Sequence, residues 1–251
     1  MTIIFYNCTF EGLLTVVFEI YARKLTTVKL KPDGLYTGAL FANELKVVTD
    51  QTRAQRVLKA LSTKLTHGAL QRLYAAYLSE IFEEDNPIIG YIRHVFDSDK
   101  NVEDDYSNSY VLRVSDIVRK VRREKHRMEA FIRFQKLKDG TFYATVDPDF
   151  NVLPLIIRHF KNRYADQRWI IYDTRRAYGL YYDLHDVEYV TFDFNNGGAT
   201  GIVSQYDNDE GIYQLLWKDY FRSINITERK NTKLHLRHVP KRYWKNLTEK
   251  L

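Results

Sequence analysis

The order of strand-like and helix-like runs in residues 129–221 constrains the fold more than any other feature of the chain. Ala130–Phe134 leads into a Lys138-Asp139-Gly140 turn and Phe142–Val146 returns, the pattern of a β-hairpin. Residues 150–164 have helical spacing and place Pro154 in the first turn, where the missing N–H costs nothing. Three apolar runs follow, Trp169–Tyr172, Ala177–Tyr182 and Glu188–Phe194, with a loop at Asn196-Gly197-Gly198. Asp209 then opens a helix bearing Ile212, Leu215, Leu216 and Phe221. The order ββαβββα predicts an antiparallel sheet with helices packed on one face, an α+β arrangement.

The first half reads differently. Residues 2–6 and 44–49 have short-strand character. Helical stripes follow Thr9 and Asp50, both good caps, and recur at 69–83 and from Asn86-Pro87 to about Phe96. The acidic, Ser- and Asn-containing stretch Asp97–Ser109 is the expected hinge. It suggests a mainly helical region, 1–105, followed by an α+β region, 106–251, with a basic tail; one continuous domain is the alternative. Residues 110–128 form the helix between them, with Val114, Ile117, Val118, Val121 and Met128 on its apolar face.

The single Cys8 excludes an intramolecular disulfide, a Cys-rich zinc site and a three-cysteine iron–sulfur motif. No apolar run approaches the roughly 20 residues of a membrane span, and residues 1–20 lack the features of a signal peptide. The expectation is a cytoplasmic protein with no membrane contact, no metal site and no cofactor. The Walker loop, the G-x-S-x-G elbow and H-E-x-x-H are all absent, so no reaction follows from a motif.

Charge points to partners. The chain carries 38 basic and 32 acidic residues, net +6, but the signs are segregated. Residues 113–138 and 218–250 each hold ten basic and three acidic residues. Residues 158–176 hold six and two, whereas residues 80–106 hold nine acidic and two basic. Basic blocks of this kind suit a polyanion. Arg119, Arg122, Arg123, His126 and Arg127 are predicted on the polar face of one helix, and Arg133 follows on the adjoining predicted strand. Arg163 and Trp169 form a second basic–aromatic group. Arg229, Lys241, Arg242, Tyr243 and Trp244 form a third, in which guanidinium groups suit phosphates and rings suit unpaired bases. His126, His159 and Asp173 are the acid–base candidates. Asp173 is also placed to pair with Arg175 or Arg176, which is the favoured reading of that residue.

Three long motifs carry a resemblance: YNCTFEGLLTVVFEIYARKL near the start, the run from Val121 to Asp183 that includes FQKLKDGTFYATVDPDF and RWIIYDTRRAYGLYYD, and the ending Leu215–Leu251. The chain resembles the family labelled probable DNA metabolism protein. Members of that family lie beside a putative DNA-repair radical-SAM protein, and the same domain is fused elsewhere to uracil-DNA glycosylase-like domains. The resemblance implies a stand-alone accessory protein that binds DNA, single-stranded or damaged, and works with a radical-SAM enzyme in repair or modification. The family has no established catalytic residues to carry over. Its recurring positions correspond to His126, Arg127, Phe131, Arg133, Phe134, Arg163, Trp169, Tyr172, Asp173, Arg229, Asn231, Pro240, Arg242, Tyr243 and Trp244. Val146-Asp147-Pro148 departs from a commoner Glu-Pro pair. Two other readings stand beside this one: an enzyme acting on a nucleic-acid base or nucleotide, and a protein-interaction module that binds no nucleic acid.

Overall fold

The computed structural model describes residues 1–36, 43–81, 86–191, 206–223 and 231–250. The chain divides into two compact units, Met1–Arg122 and Arg123–Leu251. The division falls inside the long helix α5 (Ser109–Phe131), whereas the expected boundary lay in the loop before it.

In the first unit, β1 (Thr2–Tyr6) is the centre of a three-stranded sheet ordered β2-β1-β3, with β2 at Val28–Pro32 and β3 at Glu44–Lys46. Both pairings are parallel, which requires a crossover. Helix α1 (Phe10–Ala22) supplies it between β1 and β2 and buries Leu13, Leu14, Val16, Val17 and Ile20. Thr9 caps α1 by accepting from the Gly12 N–H at 3.0 Å, and Asp50 caps α2 (Gln51–Lys64) through the Arg53 N–H. Helices α3 (His67–Tyr77) and α4 (Pro87–Asp97) follow. Strand β2 escapes sequence reading because Lys29 and Lys31 flank its one buried side chain, Leu30.

The acidic stretch before α5 is tied down within this unit. Glu103 accepts from the Thr66 backbone and hydroxyl, Asp104 pairs with Arg72 at 3.3 Å, and Asp105 bonds His94 at 3.0 Å.

The second unit holds a five-stranded sheet ordered β4-β5-β6-β7-β8: Gln135–Lys136, Phe142–Val146, Trp169–Asp173, Tyr178–Tyr182 and Val187–Val190. The α+β class is as expected, and three of the four strand pairings are antiparallel. The β5–β6 pairing is parallel, because helix α6 (Leu153–Arg163) separates the two strands and acts as a crossover. Residues 130 and 131 do not join the hairpin: α5 continues through Phe131, and only Gln135 and Lys136 pair. Helices α7 (Glu210–Ser223) and α8 (Thr232–His238) precede a 3₁₀ turn at Lys241–Asn246.

The core of this unit is aromatic. Trp169 is fully buried between Phe160, with ring centroids 6.1 Å apart, and Tyr182, at 5.4 Å. Phe134 meets Phe160 and Tyr164 edge-on. On the other face of the sheet Leu137, Tyr143 and Tyr172 cluster with Ile170 and Tyr206.

Candidate nucleic-acid interface

The buried stripe of α5 is Val111, Val114, Ile117, Val118, Val121 and Met128, the face expected from spacing. Arg119, Arg122, Arg123 and His126 lie on its exposed face. Arg119 is held by Asp116 at 2.9 Å. Among the described residues Arg122 and Arg123 have no ion-pair partner, so their charges face solvent uncompensated.

Within the second unit, α5 and α6 meet at Glu129. Its Oε1 accepts from Lys125 Nζ at 2.6 Å and lies 3.8 Å from His159 Nδ1. Its Oε2 lies 3.9 Å from His126 Nδ1. The carboxylate is largely covered, while the His126 side chain is 85% exposed and that of His159 39%. The sequence placed these two histidines 33 positions apart; the fold brings them to opposite oxygens of one carboxylate. Arg158 and Arg163 extend the exposed surface of α6, and neither has an ion-pair partner among the described residues. Arg163 sits one helical turn from His159 and therefore shares its face.

The other expected contact residues are used internally. Trp169 is core, not a stacking platform, because it lies in the central strand β6. Arg133 donates to both oxygens of Glu249, at 2.7 and 3.2 Å, and to the carbonyls of Ala130 and Ile132. Trp217 Nε1 donates to the same Glu249 at 2.9 Å. Burial raises the Glu249 carboxyl pKa, but the hydrogen bonds from Arg133 and Trp217 outweigh it and hold the group below its usual range. Arg133 therefore fastens the C-terminus and does not line a groove.

An internal polar cluster centres on Glu124, whose side chain is 2% exposed. One oxygen accepts from the Asp149 N–H at 3.0 Å. The other accepts from Arg242 at 3.0 Å and the Tyr243 hydroxyl at 2.5 Å, with Arg127 at 3.6 Å. Arg242 also pairs with Asp149 at 2.7 Å and lies over the Tyr243 ring, as does Arg127. Burial, with the neighbouring carboxylate, pushes the Tyr243 phenol far up. Trp244 donates to the Val239 carbonyl at 3.1 Å, so it too anchors the tail. Only Lys241 of this group is exposed and unpaired among the described residues. Arg229 lies outside the described residues.

Asp173 is fully buried. It accepts from the Arg175 and Arg176 backbone N–H groups and pairs with the Arg176 guanidinium at 2.8 Å, the ion pair favoured from sequence. Its oxygens are occupied, which removes it from acid–base work. Asp147, at the departure from the Glu-Pro pattern, holds Asn246 at 2.9 Å and Lys245 at 2.7 Å. Asn231 caps α8 through the Leu234 N–H. The sequence reading did not single out Glu124, Glu129 or Glu249. Glu124 carried one signal: it falls on the buried stripe between Val121 and Met128.

Among the described residues, no group of three His, Cys, Asp or Glu side chains is placed to hold a metal ion. No helix among them is long and apolar enough to cross a membrane. Residues 82–249 match the model of a family described as a domain of unknown function, DUF4130. The chain belongs to that family, and the match takes in the Glu129 and Glu124 clusters. No curated protein matches the chain.

Proposed function

We propose that the chain is a cytoplasmic accessory protein that binds nucleic acid in DNA repair or modification and works with a radical-SAM enzyme. The observation that carries the binding reading is the α5–α6 surface. There Arg123 and Arg163 are exposed without ion-pair partners among the described residues, each one helical turn from a histidine, His126 and His159. Like charges on one surface repel unless anions neutralise them, and a phosphate backbone supplies anions at the right density. The radical-SAM partner rests on the family resemblance of the motifs quoted above.

Fluorescence anisotropy with single- and double-stranded oligonucleotides tests the binding. Neutralising about four phosphates gives a slope of roughly −3 to −4 in log K against log salt. Absence of binding at low salt overturns the reading in favour of a protein-interaction module. Co-purification with the radical-SAM protein, with and without nuclease, tests the partnership and reveals bridging nucleic acid. The enzymatic reading draws support from one observation, the two imidazoles at Glu129.

A further inference from the structure

We propose that the outward side of α7 is a self-association surface, across which two copies of the chain pair antiparallel about a two-fold axis at Leu216. The inference is independent of the nucleic-acid reading and uses a different part of the second unit.

Helix α7 spans Glu210–Ser223, and its inward side is occupied. Glu210 is buried and accepts from the Lys136 N–H at 2.8 Å, and Gln214 donates to Glu210 at 3.1 Å. Trp217 donates to Glu249, and Lys250 lies over the Phe221 ring at 4.8 Å. The outward side is apolar where a surface helix is ordinarily polar. Ile212, Tyr213, Leu216 and Tyr220 are each 56–59% exposed, and Trp217 is exposed at the border with the inward side. At about 100° per residue these five fall within an arc of roughly 140°. Ile212, Leu216 and Tyr220 form one i, i+4 ridge along it. Asp219, at the edge of the arc, is held by Arg222 at 3.6 Å.

Area separates a stray patch from an interface. Exposed to this degree, side chains of these sizes offer roughly 100–150 Å² each, or about 600 Å² per copy. A monomer ordinarily leaves no more than about 300–600 Å² uncovered as its largest patch. Two copies bury about 1,200 Å², the low end of stable specific interfaces and above the ~800 Å² of incidental contacts. Shape selects the occupant. An i, i+4 ridge packs into the groove beside the same ridge of another helix, which is the commonest class of helix pairing. The α7 ridge therefore fits its own copy, and a self-matching surface closes into a two-fold dimer instead of an open chain. With the axis at Leu216, Ile212 of one copy lies against Tyr220 of the other, because both are four residues from the centre. The antiparallel arrangement also sets the positive end of each helix dipole beside the negative end of its partner. Apolar burial drives the pairing, while two chains of net +6 repel each other. Salt screens that repulsion, so it strengthens the dimer or leaves it unchanged.

Sedimentation velocity of the full chain over about 1–100 μM tests the inference, since an interface of this size dissociates in that range. The expected mass moves from 29.8 kDa at the dilute end to twice that at the concentrated end. Association should hold or tighten when salt rises from about 0.15 to 0.5 M. Leu215 and Leu216 supply the control: both are 59% exposed, but Leu215 lies about 100° round the helix from Leu216, outside the arc. Leu216→Glu places two carboxylates at the axis and weakens association by roughly 30-fold or more, the scale of a central contact, whereas Leu215→Glu changes it by less than about threefold. Far-UV circular dichroism checks that each variant is folded. If Leu216→Glu does not fold, Leu216→Cys with Cys8→Ser takes its place: diamide oxidises it to an interchain disulfide across the axis, while Leu215→Cys in the same background stays uncrosslinked. A mass of one chain throughout the range overturns the inference. So does association that survives Leu216→Glu, that falls equally in both glutamate variants, or that high salt dissolves, the last marking charge contacts or bridging nucleic acid.

Discussion

Glu124→Gln separates the architecture of the tail from the proposed nucleic-acid surface, and its cost can be worked out donor by donor. The carboxylate accepts from the Asp149 N–H through Oε1 and from Arg242 and the Tyr243 hydroxyl through Oε2. Glutamine keeps the shape but has a single acceptor oxygen. If that oxygen faces Arg242 and Tyr243, the Asp149 N–H meets an NH₂ group; turned round, two donors lose their acceptor. A hydrogen bond to a charged acceptor is worth about 1.5–3 kcal/mol. Breaking a buried ion pair outright costs about 3–5 kcal/mol, but Arg242 is 45% exposed and keeps Asp149 at 2.7 Å, so that range is an upper bound. The expected loss is about 2–3 kcal/mol, or a Tm lowered by roughly 5–10 °C for a chain of this size. Urea titration followed by far-UV circular dichroism measures it. A double-mutant cycle with Tyr243→Phe should show non-additivity of at least about 0.5 kcal/mol, because the two side chains share one hydrogen bond. Oligonucleotide affinity at a temperature where the variant is folded should be unchanged. A loss below about 0.5 kcal/mol, or a loss of binding at full stability, refutes the reasoning.

Three further outcomes follow from the same geometry. Trp169→Ala should cost roughly 3–5 kcal/mol, since the indole is fully buried in the central strand; a variant that melts normally but binds single strands poorly would restore the stacking reading. Arg158→Ala with Arg163→Ala should change stability by no more than about 0.5 kcal/mol per site while the salt slope shrinks by about one for each phosphate no longer neutralised. Anisotropy and melting of the same protein check both halves. The third outcome concerns pH. The Glu249 carboxyl is held below its unfolded value by Arg133 and Trp217 against the effect of burial. A depressed folded pKa gives stability that is fully present above the unfolded value, near pH 4.3, and is lost as pH falls through the folded one. The Tm gap between the parent protein and Glu249→Gln should therefore be widest at neutral pH and close under acid conditions. A gap independent of pH from 7 to 3 would show that the ion pair contributes nothing.

What was legible in the sequence follows from what each signal measures. Period-3.6 spacing located α1, α2, α4, α5 and α6, and the caps Thr9, Asp50 and Asn86 act as their residue types suggest. Period-two runs located β5, β6 and β7. Local pattern failed where a partner far along the chain decides. Val28–Pro32 becomes a strand because β1 offers it a parallel edge, not because of its own lysine-rich composition. Ala130 and Phe131 look strand-like but complete a helix whose buried stripe began at Val111. The candidate site was legible in its parts only. His126 and His159 were visible as titratable groups, but their shared carboxylate was not, because Glu129 is one more acid in a charged run until α6 packs beside it.

The basic residues were the clearest message of the sequence, and folding redistributes what they mean. Two blocks looked equally suited to a polyanion, each net +7. The fold sets acids against two of the expected contacts, Glu249 against Arg133 and Glu124 with Asp149 against Arg242, and sets Asp147 against Lys245 in the tail. Those acids are scattered over residues 124–249, so no window of sequence shows the cancellation. Along α5 and α6, Arg119 is held by Asp116, while Arg122, Arg123, Arg158 and Arg163 have no ion-pair partner among the described residues. Glu129, where α5 and α6 meet, is shared among Lys125, His126 and His159. Linear charge density therefore overstates the free charge wherever the fold supplies an acid from a distant position. Exposed bases without an ion-pair partner among the described residues remain in both regions of the second unit: Arg123, Arg158 and Arg163 on α5 and α6, and Lys233, Arg237 and Lys241 in the tail.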